Sequence, residues 1–509
     1  MRRHTIAFAV LLSAWLYAGV AGIDFGHHWD EGRITGSVAA SLRSGVMLPG
    51  WYNYPSFCYQ LGLAAAVPEV LGSVFDAAST SEMSEAVAAT AGFIEGHSYL
   101  LRLRVLFLLI SALTALWIFL LVIRWRGGFE AVLAAGFFLA SWEFAYHARW
   151  VAPDALLAMA VALGMLLMYP LLDDRRGRHV LFSAAAAGLA AGIKYQGGIL
   201  LLPLFLLLVW RNPQESEGIR GRTILQAGVV FACIFLFTTP GALIDPFRFV
   251  GDVVVELRHY STGHWGHNIA PGFEHAAAMT RWLVLDTPAP WPMVSLLIAG
   301  AVSVGVVSLF REQRRAGIWY LILPLTYFLY MSFQQVMIVR NLLLLLPFMA
   351  VLAARGFVWA SEWVSWRPFR IVVQVLPFLL ILVSLAWQID AGERLRHRHD
   401  RDVNAETRSW IDRQGSQTVV FSPALARRFP SEEPSRSSSP SGDTLLLFTT
   451  AEIDSLMLLP ANHPIYTSVS TLPDVNVTVY PDWSGEEKVL GMTLHQARRH
   501  RVFHSLLTP

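Results

Sequence analysis

Two adjacent carboxylates, Asp30 and Glu31, follow the first long apolar segment of the chain, and His28 lies just before them. Ionisable side chains at the mouth of a membrane span are costly to desolvate, so they mark a pathway or a reaction centre. A carboxylate in such a place can take a proton from an attacking hydroxyl group. The pattern therefore indicates either a transport route or a catalytic site.

Further ionisable residues occur at the ends of other apolar segments. Asp154 adds a carboxylate, Lys194 and Arg340 are cations, and Arg149 and Arg258 are weaker cationic candidates. Arginine holds a phosphate through paired hydrogen bonds and lysine holds it as a point charge. A base beside a phosphate-binding pair of cations, at a membrane surface, suits transfer from a lipid-phosphate donor.

The composition indicates a polytopic membrane protein. Of the 509 residues, 54% are hydrophobic and only 15% are charged, whereas soluble domains carry about 25% charged residues. The net charge of +2 gives no indication of a nucleic-acid partner. We therefore expect an all-α fold of transmembrane helices.

Nine apolar stretches have about the length needed to cross a bilayer. They lie at about 5–23, 100–123, 129–147, 154–172, 223–243, 291–310, 317–334, 341–360 and 371–388. The first could also be read as a cleaved signal peptide, but a retained span is favoured because many spans follow it. The stretch 180–210 is too long for one span, so we predict a hairpin that turns at Lys194.

Positively charged clusters fix the predicted topology. Lys and Arg concentrate in cytoplasmic loops, and one arrangement satisfies every cluster: eleven spans, with the N-terminus in the cytoplasm and the C-terminal tail outside. The candidate site residues then share the outer face of the membrane. A transporter is expected to carry ionisable groups near the bilayer midplane, and the sequence has almost none there. The pattern favours an enzyme at the outer interface of the inner (plasma) membrane.

Residues 1–388 are predicted to form the membrane module, which includes two large external loops. The first loop, 24–99, contains apolar stretches at 34–48 and 57–75 that are typical of interfacial helices. The second loop, about 244–290, is rich in His, Trp and Pro and includes Arg258 and His259.

The tail, 389–509, is more charged and contains short β-rich runs. We predict a small mixed α/β domain outside the membrane, with strands at about 418–421, 445–448 and 475–480.

Several of these segments resemble motifs of the GT-C superfamily of polytopic glycosyltransferases. Nearest are bacterial relatives of protein O-mannosyltransferases and lipid A aminoarabinose transferases. Their acidic pair, written His/Gln-Pro-Asp-Glu, is similar to His28-Trp29-Asp30-Glu31, in which Trp29 replaces proline. Segment 39–45 is similar to the family's interfacial helix with its glycine, and segment 52–56, with Tyr54, is similar to its "YP" element.

Four later segments extend the resemblance over most of the chain in the family's order. Segment 148–154 is similar to a motif in which an aspartate, here Asp154, opens the fourth span. Segment 188–195 matches a GLAxGxKY element that ends in Lys194 and Tyr195. Segment 340–347 resembles an RYxLPxxP element with Asn341 in place of tyrosine, and segment 407–411 looks like the start of the external domain.

The resemblance implies an inverting glycosyltransferase that uses a polyprenyl-phosphate sugar and a hydroxyl acceptor on a lipid, protein or polysaccharide. Asp30 takes the role of catalytic base, and Glu31 is its catalytic partner or positions a helix N-terminus. The resemblance assigns binding of the donor phosphate to three cationic side chains, Lys194, Arg340 and Arg149. It also implies six further residues of the site, which are Asp154, His28, Tyr54, Tyr195, Arg258 and His259.

Three alternatives stay open. A transporter or flippase for a lipid-linked glycan would form no new glycosidic bond, and an O-antigen ligase or polymerase would consume a pyrophosphate-linked donor. A degenerate family member kept for binding or scaffolding is the third. Separately from these three, a divalent cation could be held by His27, His28 and Asp30, or by the histidines of the second loop. No metal-binding spacing supports it, so no cofactor is assigned.

Overall fold

The computed structural model describes residues 2–25, 30–76, 80–173, 176–210, 221–263, 268–399, 419–421, 445–449, 476–482 and 485–493. The chain divides into two compact units. The first comprises Met1–Arg258, Gly272–Phe333 and Ile338–Arg396, and the second comprises His259–Pro271, Gln334–Met337 and His397–Pro509.

Eighteen α-helices are present in the described residues. They are α1 Arg2–Ala21, α2 Glu31–Ser44, α3 Phe57–Asp76, α4 Thr80–Ile94, α5 His97–Trp125, α6 Gly128–Ala140, α7 Trp142–His147, α8 Pro153–Met168, α9 Gly177–Ile193, α10 Leu201–Val209, α11 Gly221–Thr238, α12 Gly241–Ile244, α13 Pro246–Thr262, α14 Phe273–Arg281, α15 Pro292–Glu312, α16 Arg314–Ser332, α17 Leu346–Trp363 and α18 Arg367–His399. Short 3₁₀ helices cover Tyr169–Leu172, Tyr195–Leu200 and Val339–Leu345, and a π-helical turn covers Trp282–Asp286.

Seven helical segments in the described part of the chain are long and apolar enough to cross a membrane. They are Arg2–Ala21, His97–Trp125, Pro153–Leu172, Gly221–Thr238, Pro292–Glu312, Val339–Trp363 and Arg367–Glu393, and two shorter apolar helices cover Gly128–Ala140 and Tyr195–Val209. The chain is thus a multi-pass membrane protein. The count of eleven spans stays a prediction.

The segment 129–147, expected as one continuous span, is instead divided at Ser141. Helix α6 ends at Ala140, and the Ser141 hydroxyl accepts a hydrogen bond from the Phe144 amide at 3.4 Å. Serine in this extended conformation is a good N-cap, so a new short helix, α7, begins there. The segment 180–210 is also divided, with Lys194 between α9 and the following 3₁₀ helix; that the two parts cross the membrane as a hairpin stays a prediction.

The described residues of the first predicted loop, 24–99, form three helices before α5 begins. Helices α2 and α3 cover the stretches for which interfacial helices were predicted, with α2 beginning three residues earlier than expected. Helix α4 was not predicted. Both α3 and α4 pack against α2, so the loop is a compact layer of helices that begins at Asp30.

The second unit contains a four-stranded sheet of order β1-β2-β4-β3, formed by β1 Val419–Phe421, β2 Leu445–Thr449, β3 Asn476–Asp482 and β4 Gly485–Thr493. Strands β1 and β2 are parallel, while β4 pairs antiparallel with both β2 and β3. The first three strands lie in the predicted β-rich runs. The mixed α/β domain as a whole stays a prediction, because most of 389–509 lies outside the described residues.

Candidate active site

Asp30 and Arg340 form a direct ion pair. Asp30 is the residue before the first turn of α2, and Arg340 lies in the 3₁₀ helix that leads into α17. The Arg340 Nη1 donates to Asp30 Oδ2, and its Nη2 donates to the Tyr54 hydroxyl at 3.4 Å. The two charged side chains are only 6% and 14% exposed. The predicted base and one predicted phosphate ligand are therefore in contact in a nearly water-free place.

Asp154 links the second cation, Lys194, to the Asp30–Arg340 ion pair. Lys194 Nζ donates to Asp154 Oδ1 at 2.6 Å and to Asn341 Oδ1 at 2.8 Å, and Arg340 Nε lies 3.7 Å from Asp154 Oδ2. Two carboxylates and two cations thus form one buried cluster, the charge cluster (Asp30, Asp154, Lys194 and Arg340), with no net charge. Burial of so many charges is tolerated only because each faces an opposite charge.

Glycines in α9 explain how Lys194 reaches the charge cluster. A Cβ on Gly188 would lie 2.6 Å from the Phe231 carbonyl oxygen of α11, and a Cβ on Gly192 would overlap the Thr238 side chain. Small residues at these positions let the two helix backbones approach closely. Helix α9 then ends at Ile193, and Lys194 takes an extended conformation (φ −151°, ψ 136°).

Two tyrosines border the charge cluster. Lys194 Nζ lies 5.9 Å from the centre of the Tyr54 ring. Burial raises the pKa of the Tyr54 phenol, and the opposing effect of Arg340 and Lys194 is smaller, so this hydroxyl stays protonated and available as a donor. Tyr195 donates its hydroxyl to the Tyr52 carbonyl at 2.7 Å, which ties the loop carrying Tyr54 to the residue after Lys194.

Glu31 points away from the charge cluster. Its carboxylate is completely buried and accepts two hydrogen bonds from Arg104, from Nε at 2.9 Å and from Nη2 at 2.6 Å. It also accepts the Val151 amide at 3.2 Å, and Arg104 Nη1 donates to the Ile23 carbonyl at 3.0 Å. Glu31 therefore links the start of α2 to α5 and to the turn that precedes α8.

Arg149 caps a helix, although phosphate binding was expected of it. Its buried guanidinium donates to the carbonyls of Ala18 at 2.8 Å and Gly19 at 3.1 Å, in the last turn of α1, and also to Ala145. The last carbonyls of a helix have no partner within it, so a buried arginine here satisfies groups that would otherwise be costly to bury.

Three other residues were predicted for the site: Arg258, His259 and His28. Arg258 is exposed on α13. His259 belongs to the second unit, where its ring packs against Tyr260 with centroids 5.8 Å apart. His28, with His27 and Trp29, lies outside the described residues. Among the residues that are described, no group of three or more His, Cys, Asp or Glu side chains is arranged to hold a metal ion.

Sequence reasoning missed the partners that hold the site residues. Arg104 was overlooked because it lies within the apolar run of α5, two residues after Arg102. Asn341 was noted only as a replacement for tyrosine, yet it accepts a hydrogen bond from Lys194 and its own carbonyl accepts the Tyr327 hydroxyl at 2.8 Å. Glu256, in the second predicted loop, was given no role. No local pattern marks any of the three, because each acts through a residue distant in the chain.

The fold and the site together define a class: a polytopic membrane protein with a buried cluster of two carboxylates and two cations. The sequence of residues 90–240 matches the family model described as dolichyl-phosphate-mannose-protein mannosyltransferase. That segment contains Asp154 and Lys194.

The fold is similar to that of ArnT from Cupriavidus metallidurans. The crystal structure of that protein bound to undecaprenyl phosphate gives a TM-score of 0.50 at 13% identity, over 96% of this chain and 97% of the other. Its apo structure gives 0.50 at 14% identity, over 99% and 98%. No curated protein matches the chain in sequence. The predicted resemblance to GT-C glycosyltransferases is thereby confirmed, in fold over nearly the whole chain and in sequence over residues 90–240.

Proposed function

We propose that the chain is a glycosyltransferase of the inner membrane that moves a sugar from a polyprenyl-phosphate donor to an acceptor hydroxyl, with inversion. The observation that carries this proposal is the direct contact between Asp30 and Arg340 inside the charge cluster. A potential base and two phosphate-binding cations lie side by side there, as transfer from a phosphate leaving group requires. The matched family model and the undecaprenyl phosphate bound to the similar ArnT protein support the donor type.

The reaction would begin with an exchange of partners. The donor phosphate competes with Asp30 for Arg340, because a guanidinium binds phosphate and carboxylate oxygens in the same geometry. Lys194 provides the second positive charge, held in place by Asp154 and Asn341. Arrival of the donor therefore frees the carboxylate that the next step needs.

In the transfer step, Asp30 takes the proton of the acceptor hydroxyl while the hydroxyl oxygen attacks C1 of the sugar. The bond between C1 and the phosphate oxygen breaks, and its electron pair leaves with the polyprenyl phosphate. Negative charge thus moves from Asp30 to the phosphate, where Lys194 and Arg340 stabilise it in a site of low polarity. Attack from the face opposite the phosphate inverts the configuration at C1.

The proposed setting follows from the predicted topology. The N-terminus faces the cytoplasm, the charge cluster opens on the extracytoplasmic side, and the tail 389–509 lies there as a separate domain that follows the membrane module 1–388. The external helices of loop 24–99 and of loop 244–290 would cover the reaction cavity.

The test is to follow radiolabelled sugar from undecaprenyl phosphate in membranes that contain the full chain. We expect the label to leave the lipid donor and to appear on an acceptor through a new glycosidic bond. Label that crosses the membrane while still bound to the lipid contradicts the proposal and favours a flippase. Transfer that occurs only from a pyrophosphate-linked donor contradicts it in favour of a ligase or polymerase.

A further inference from the structure

Helix α13 is fixed against the loop that carries Tyr54. The Tyr52 amide donates to Asp252 Oδ2 of α13 at 2.8 Å, and the Tyr52 ring meets the Phe249 ring edge-on with centroids 5.8 Å apart. Phe249 also contacts the Tyr195 ring at 6.2 Å. Helix α13 is therefore held in one register relative to Tyr54 and to the residue after Lys194.

Glu256 follows Asp252 by one helical turn and so lies on the same face of α13. Its half-buried carboxylate interacts with the Asn53 side chain, between the two tyrosines of the loop, and it experiences the charges of Lys194, Arg340 and Asp30. Thus α13 brings a third carboxylate to the charge cluster, from an element that contributes no other member.

Within the described residues, Glu256 has no ion-pair partner at salt-bridge distance, and the Asn53 side chain is the neutral polar group with which it interacts. An ionised carboxylate can accept about four hydrogen bonds, so most of its capacity is unused. Asp30 and Asp154 differ in this respect, because each is in contact with a cation. The Glu256 carboxylate is therefore suited to accept hydrogen bonds from a bound molecule.

The charges of the site determine which part of a bound sugar donor can lie next to Glu256. With Glu256 ionised, the site holds three carboxylates and two cations. A phosphate group is repelled by Glu256 and attracted by Lys194 and Arg340. The sugar next to that phosphate carries several hydroxyl groups, which are hydrogen-bond donors to a carboxylate.

We propose that Glu256 recognises the donor sugar: its carboxylate accepts hydrogen bonds from the sugar hydroxyls while Lys194 and Arg340 hold the phosphate. Glu256 is thereby a specificity-determining residue of the transfer reaction, and this inference rests on the proposed function. Asn53 orients the carboxylate. Because hydroxyl positions differ between epimeric sugars, Glu256 discriminates between donors that share the same phosphate and lipid.

The experiment uses the full chain and two kinds of probe. Undecaprenyl phosphate without a sugar reports on the phosphate half of the site, and undecaprenyl phosphate carrying glucose, mannose or galactose reports on sugar recognition. Glu256→Gln is compared with the wild type and with Glu274→Gln, which makes the same change at an exposed position on α14.

We expect Glu256→Gln to lower kcat/KM for the best donor by about 10- to 100-fold, the loss that accompanies removal of a hydrogen bond to a charged group. The ratio of kcat/KM between epimers should shrink about tenfold or more. Affinity for undecaprenyl phosphate alone should be equal to or tighter than that of the wild type, because a charge that repels the phosphate is removed, and retained binding also shows that the variant is folded. Glu274→Gln should match the wild type in all three measurements.

Two results would overturn the inference. Equal loss of transfer and of undecaprenyl phosphate affinity would mean that Glu256 supports the cations and does not bind sugar. An unchanged preference among epimeric donors would mean that Glu256 does not recognise the sugar. Failure of the proposed function is distinguishable, because the wild type itself would then transfer no sugar from any of the donors.

Discussion

Replacement of Glu31 by glutamine should destabilise the protein more than it impairs the chemical step. The Glu31–Arg104 pair has no exposed side-chain surface, is bidentate and includes a third hydrogen bond from the Val151 amide. Removal of one member of a buried ion pair costs about 3–5 kcal/mol, because the other charge is left without a partner. For Glu31→Gln this predicts a fall in the unfolding midpoint of roughly 5 °C or more.

The assay is thermal unfolding of the purified protein in detergent, combined with undecaprenyl phosphate binding and sugar transfer below the midpoint. A double-mutant cycle adds Arg104→Met and the Glu31→Gln/Arg104→Met double variant. The double variant should be less destabilised than the sum of the single variants, because no unpaired charge remains.

The matched control is Glu95→Gln, which breaks a bidentate pair with Arg43 whose side chains are 44% and 48% exposed. Exposed pairs contribute little to stability, so the midpoint should hardly change. The reasoning is refuted if Glu31→Gln unfolds at the wild-type temperature and yet transfers no sugar. Glu31 would then act in the chemistry beside Asp30 and not as a positioning residue.

Three further outcomes are expected. Lys194→Met should weaken binding of undecaprenyl phosphate about tenfold or more, measured by titration of the purified protein, because one charged contact is lost; unchanged affinity would exclude Lys194 as a phosphate ligand. Arg355→Met should lower the unfolding midpoint but not this affinity, since Arg355 pairs with Glu130 and Glu312 away from the charge cluster; a loss of affinity would contradict that separation. Burial raises the pKa of Glu256, so ionisation costs more in the folded state, and stability should fall as the pH rises from about 4.5 through the raised pKa. In Glu256→Gln, the unfolding midpoint should no longer fall with pH over this range. A fall equal to that of the wild type would show that the pH dependence does not come from Glu256.

The membrane helices were predictable because hydropathy is a local property of the sequence. The seven candidate spans all overlap predicted apolar stretches, and the first external loop folds into helices where two amphipathic or apolar stretches were found. The break at Ser141 was missed because a single serine changes the mean hydropathy of the stretch 129–147 very little. Its capping hydrogen bond depends on backbone geometry, which hydropathy does not report.

The site was predictable in its charges but not in its pairing. Asp30, Asp154, Lys194 and Arg340 were recognised because each is a charge at the outer end of an apolar segment, and the structure brings all four together. That Arg340 contacts Asp30 across 310 positions of sequence cannot be read from spacing. Spacing likewise does not show that Arg149, which met the same charge criterion, donates to the last carbonyls of α1. Its role in phosphate binding stays a prediction.

In the proposed mechanism, the donor phosphate binds Arg340 and thereby releases Asp30 from its ion pair, so that Asp30 can act as the base. The most direct measurement is the rate of sugar transfer by Asp30→Asn at saturating donor, together with its affinity for undecaprenyl phosphate. We expect a rate lower by about 100-fold or more, with affinity equal to or tighter than that of the wild type because Arg340 no longer has a competing carboxylate. Transfer at nearly the wild-type rate, or a loss of undecaprenyl phosphate affinity in the folded variant, would contradict it.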